Sequence, residues 1–187
     1  AVTKQKFGTG TTAYWLYEPA SPTPASAPVI VFLHGFGGVN PKAYGAWIRH
    51  LVLAGNTVVF PIYQTSFMNA AAYTDDAITA ILDALAVLQS AGHVDPELDH
   101  FALVGHSLGG VIAPSIAALA LSKGLPTVKC FISAHPGDAN ATVPTLPSIK
   151  QGNYAAIGAD VLFLGIVGSA DTIAGTAASL SGLQFSR

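Results

Sequence analysis

A mostly parallel β-sheet flanked by helices on both faces is the architecture this sequence predicts, and three observations point to it. Short β-branched or aromatic runs alternate with segments patterned for helix. Runs such as Val29-Ile30-Val31-Phe32-Leu33 are continuously apolar rather than alternating, as expected of strands covered on both sides. The chemically distinctive residues, His34–Gly38, Tyr63, Ser107, His135, Asp138 and Asp171, all follow predicted strands, and ligands of such sheets bind at the strands' carboxyl ends.

Taken in order, strands are expected at Ala13–Tyr17, Val29–His34, Thr57–Phe60, Phe101–Gly105, Val128–Ser133 and Val161–Val167. Pro41–Ala54 reads as a helix with Trp47, Ile48 and Leu51 on one face and Gly55 as its stop. Residues 70–91 place Ile78, Ile81, Leu82, Leu85 and Leu88 at helical spacing, with Asp75 and Asp76 near the start and Gly92 after the end. Residues 107–122 form a third helix, carrying Leu108, Val111, Ile112, Ile116 and Leu119. Residues 19–28 are a Pro/Ser/Ala loop between strands rather than a linker, and no internal repeat is present.

The 187 residues suit a single domain with a substantial core. Apolar residues make up 51% of the chain and charged residues only 10%. A net charge of −2 and the absence of any basic stretch argue against nucleic-acid binding. Gly, Pro, Asp or His interrupts every apolar stretch before it reaches membrane-spanning length. The low charge and an Ala rather than a Met at position 1 lead us to expect the mature form of a secreted or periplasmic protein. Cys130, the single cysteine, lies in an apolar run and is expected to be a structural thiol.

Two motifs carry chemistry. Gly105-His106-Ser107-Leu108-Gly109-Gly110 follows the run Phe101–Val104 and opens a helix, the strand–turn–helix context of a nucleophile elbow. A serine hydroxyl is a weak nucleophile until a base takes its proton, so it needs a rigid, exposed mount. The tight turn supplies one, and glycines at 105 and 109 keep Cβ atoms out of the bend. His34-Gly35-Phe36-Gly37-Gly38 closes the strand before it. Together the two motifs predict an oxyanion hole built from the backbone N–H groups of Phe36 and Leu108, with His34 structural.

These motifs resemble those of the α/β-hydrolase superfamily, over the whole chain from residue 13 onward. The nearer resemblance is to its serine esterase branch of dienelactone hydrolases, chlorophyllase-like proteins, cutinases and polyester hydrolases. That likeness implies a triad in the chain order Ser, acid, His, with Ser107 as nucleophile. Asp160–Gly165 followed by Asp171–Ala174 is similar to the strand and loop that bear the acid. The resemblance therefore implies Asp171 as the acid, with Asp138 as the alternative, because some relatives place it after the preceding strand.

The base is the departure. The sequence contains six histidines and none after His135. The resemblance implies an amino-terminal portion, with the last strand, the histidine loop and the closing helix outside this chain. We expect the histidine to come from a complementary C-terminal fragment of the same protein, the chain alone being nearly inert. His135, the one histidine at the right sheet edge, is the in-chain alternative. Tyr63, His106 and His135 are candidate substrate-binding residues, with Gln64, Phe36 and Phe67 also placed to line an acyl pocket. No charged anchor stands out, so a small neutral or apolar ester is the expected substrate. An acyltransferase, a peptidase or a non-catalytic binding protein on the same scaffold remain alternatives. Neither a metal-binding nor a nucleotide-binding motif occurs, and no cofactor is expected.

Overall fold

The computed structural model describes residues 1–65, 69–137 and 152–171. Its sheet has seven strands: β1 (Val2–Phe7), β2 (Tyr14–Pro19), β3 (Ser26–Leu33), β4 (Thr57–Pro61), β5 (Asp95–His106), β6 (Val128–Ala134) and β7 (Leu162–Ile166). Their spatial order is β1-β2-β4-β3-β5-β6-β7. Pairs β3–β4, β3–β5, β5–β6 and β6–β7 are parallel, whereas β1 and β2 form an antiparallel edge. Among the described residues, three α-helices, α1 (Gly45–Leu53), α2 (Tyr73–Leu88) and α3 (Leu108–Leu119), join the strands.

The continuous apolar runs are explained by the layers. Val29, Val31 and Leu33 of β3 point to one face, beneath Ile78, Ile81 and Leu85 of α2 and Ile112 and Ile116 of α3. Phe32 of the same strand points to the opposite face, with Ile48 and Val52 of α1, Val58, Phe60 and Val104. Alternate residues of one strand thus serve two separate cores.

Local signals set the helix ends. Asn40 accepts from the Lys42 N–H at 3.0 Å and starts a short 3₁₀ turn, Pro41–Tyr44, that leads into α1. Gly55 (φ +99°) and Gly92 (φ +96°) follow α1 and α2 in the left-handed region. Helix α3 contains Pro114, which has no N–H to give the carbonyl of Gly110. The buried Ser133 hydroxyl of β6 donates to that carbonyl instead, at 2.8 Å.

Two expectations are corrected. Strand β1 was not expected, because Val2–Phe7 is polar at its centre and presents no apolar run; it forms by pairing with β2 at the sheet edge. Strand β5 begins at Asp95, since residues 95–97 pair with residues 26–28 of β3 before a shift in register. Among the described residues, no helix is long and apolar enough to cross a membrane.

Candidate active site

Ser107 stands alone between the end of β5 and the start of α3, with φ +52° and ψ −116°. A non-glycine residue in that region costs about 1–3 kcal/mol and persists only when its surroundings fix it. They do so here. The Ser107 N–H donates to Ala134 O at the end of β6 (2.9 Å), and its carbonyl accepts from Gly110 N–H (2.9 Å) and Gly137 N–H (3.2 Å). A Cβ at Gly105 would run into the Gly109 carbonyl, and one at Gly109 into the Leu33 carbonyl. Glycine at 105 and 109 is therefore a steric requirement of packing the elbow against β3.

The loop after β3 lies directly against the serine: a Cβ at Gly35 would sit 3.2 Å from the Ser107 Cβ. Several polar groups of this loop are fixed by hydrogen bonds. Tyr63 Oη donates to the carbonyl of His34. Gly35 N–H donates to Tyr44 Oη at 2.7 Å, Gly37 N–H to Gln64 Oε1 at 2.7 Å, and Gly38 N–H to the Gly35 carbonyl at 2.9 Å. The Gly35 carbonyl also lies 2.7 Å from His34 Nδ1. A carbonyl only accepts, so Nδ1 carries the proton, and His34 Nε2 has no partner among the described residues. Burial lowers the pKa of His34 to about 4, against the opposing pull of the Gly35 carbonyl, so the ring is neutral.

The acid candidate, Asp171, meets His135. Parallel strands β6 and β7 are aligned with Ala134 opposite Ile166, and His135 N–H donates to the Ile166 carbonyl at 2.7 Å. The residues that follow the two strands therefore converge. His135 Nδ1 donates to Asp171 Oδ2 at 2.9 Å, with the Asp171 side chain 15% exposed and that of His135 41%. His135 also has a positive φ, +47°. The pKa of His106, beside Ser107, is lowered by burial and then by His135.

Other expected site residues fall differently. Phe36 is 40% exposed at the loop surface, where it can meet a ligand. Tyr63 and Gln64 do not line a pocket: both are buried beneath the loop, with the Tyr63 ring stacked on His34 at 4.1 Å. Apolar packing on the underside of a tight loop took side chains that the sequence placed on its surface. Phe67 and Asp138 lie outside the described residues. The roles of Tyr44 and Gln64, and the His135–Asp171 bond, are not legible in the sequence, because each depends on residues far apart in the chain. Cys130 is half-buried, and burial raises its pKa. Among the described residues, no group of three or more His, Cys, Asp or Glu could hold a metal ion.

A mostly parallel sheet with the elbow and the glycine loop at its carboxyl edge gives the chain an α/β-hydrolase fold. More narrowly, residues 17–169 match the chlorophyllase family profile, and the chain belongs to that family. No curated protein matches it. Among solved structures it is similar to esterase B from Lactobacillus rhamnosis (18% identity, TM-score 0.67), covering 98% of this chain and 70% of that one. It is also similar to a chain assigned as a dienelactone hydrolase from Klebsiella pneumoniae (13% identity, TM-score 0.68, 100% of this chain and 81% of that one). A third is carboxyl esterase 2 from the fungus Tuber melanosporum (22% identity, TM-score 0.56, 73% of this chain). The chain spans only 45% of the length of that fungal esterase.

Proposed function

We propose that this chain carries the nucleophile, oxyanion hole and acid of a serine ester hydrolase. The observation that supports it most is the strained elbow at Ser107 (φ +52°) packed directly against the clamped loop 34–38. Binding alone would not require that strain. Ser107 Oγ attacks the ester carbonyl as a base removes its proton, and the Phe36 and Leu108 N–H groups stabilise the oxyanion. Collapse of this tetrahedral intermediate breaks the bond to the alcohol, which leaves with the proton from the base. Water then repeats the sequence on the acyl-enzyme and releases the acid product. Phe36 and the uncharged glycines around Ser107 suit a neutral, apolar ester. Secretion or a periplasmic location fits the low charge of the chain.

For the base we favour a histidine contributed by a C-terminal segment of the same protein and held by Asp171. A second reading, with His135 as the base, is favoured by its 2.9 Å bond to Asp171. Fluorophosphonate labelling tests the function: the assembled protein takes the label and Ser107→Ala does not, whereas a binding protein takes none. Residues 1–187 alone decide the base. Without one, turnover falls on the order of 10⁶-fold, so p-nitrophenyl butyrate hydrolysis by this chain that disappears in His135→Gln would establish His135.

A further inference from the structure

An oxyanion hole assembled from two separate elements needs something to fix one against the other. Phe36 belongs to the loop after β3, and Leu108 to the elbow after β5. Errors of about 1 Å in such a constellation cost on the order of 10²-fold in rate. Both peptide planes next to Gly35 are held. The plane joining Gly35 to Phe36 is fixed by the two donors on the Gly35 carbonyl, His34 Nδ1 and Gly38 N–H. Because a trans peptide is planar, aiming that carbonyl aims the Phe36 N–H the opposite way. The plane joining His34 to Gly35 is held by Tyr63 on its carbonyl and by Tyr44 on its N–H.

Tyr44 differs from the other clamps because it also reaches the elbow. Its Oη lies 2.7 Å from Gly35 N and 3.1 Å from His106 Nδ1, the residue preceding the nucleophile. Gly35 N–H can only donate, which leaves the phenolic proton for His106 Nδ1. The ring is set in place by Phe32 (centroids 5.0 Å apart) and Phe60 (6.1 Å). At the N-terminal boundary of α1, it also has a rigid backbone mount.

We propose that Tyr44 is a positioning residue whose hydroxyl ties the loop bearing Phe36 to the elbow bearing Ser107 and Leu108, keeping the two oxyanion donors in register. This role rests on the serine hydrolase reading. It also assigns His106 the neutral tautomer with its proton on Nε2; the lowering of its pKa by burial is consistent with this.

Three variants of the assembled protein test it, with fluorophosphonate labelling and p-nitrophenyl butyrate turnover as the rate measurements. Tyr44→Phe is expected to lower the labelling rate and kcat about 10- to 100-fold with little change in KM. It should also lose the Nδ1-acceptor signature of His106 in ¹⁵N NMR spectra. His106→Asn, whose amide oxygen can take the place of Nδ1, is expected to label and turn over about tenfold faster than His106→Leu, which has no acceptor there. The His106 pair decides the matter if Tyr44→Phe does not fold. Wild-type protein that takes no phosphonate overturns the hydrolase reading and this role with it. Wild-type protein that labels, with Tyr44→Phe labelling equally fast per folded molecule, overturns the role alone. So do equal rates for His106→Asn and His106→Leu.

Discussion

Removing the Ser133 hydroxyl is expected to destabilise the protein through a proline that it never touches covalently. Pro114 cannot give an N–H to the Gly110 carbonyl, and its ring crowds that carbonyl. Ser133, only 2% exposed, supplies the missing donor at 2.8 Å. Ser133→Ala would strand a buried carbonyl next to the elbow, at a cost of about 1–3 kcal/mol. For a chain of this size, that corresponds to a fall of roughly 2–12 °C in Tm. The assay is equilibrium urea unfolding of a double-mutant cycle. In Pro114→Ala the helix recovers its own bond to Gly110, so adding Ser133→Ala there should cost less by about 1 kcal/mol or more. Equal costs of Ser133→Ala in the two backgrounds would refute the reasoning.

Other predictions follow from the same geometry. Gly109→Ala places a Cβ against the Leu33 carbonyl and is expected to cost more than about 3 kcal/mol, seen as loss of soluble folded protein; wild-type stability would contradict the packing described. The folded-state pKa of His34, about 4, lies below its unfolded value, so the unfolded chain binds the proton first. Its contribution is therefore retained above pH about 6.5 and lost progressively as pH falls towards 4, by up to about 3 kcal/mol. His34→Asn, which keeps a donor near Nδ1, should flatten this dependence in urea titrations at pH 7 and pH 4.5; an unchanged slope would count against it. Asp171→Asn should leave Ser107 and the loop in place but reduce turnover of p-nitrophenyl butyrate about 10⁴-fold, and near-normal turnover would remove Asp171 from the acid role.

Much of the site was legible before the fold, for a steric reason. The elbow and the glycine loop require glycine where another backbone passes within contact distance, at Gly105 and Gly109, and such a demand is written in a few adjacent residues. The apolar runs of β3 and β5 announced strands covered on both faces in the same local way. Strand β1 was not legible, since its polar centre sits at an exposed edge and its order comes from hydrogen bonds to β2. Tyr63 and Gln64 were read on the wrong side of their loop, because local sequence does not say which side of a loop is packed.

By itself, then, the sequence determined the layered α/β plan and the tight turn that mounts Ser107, because periodicity and glycine sterics act over a few residues. Tertiary structure decided what holds that mount in place. Register between β6 and β7 brings His135 to Asp171, the packing of α3 on β6 gives Gly110 its donor, and Tyr44 meets both Gly35 and His106. Each of these contacts joins groups on different elements, and only the packed sheet sets the distances between them.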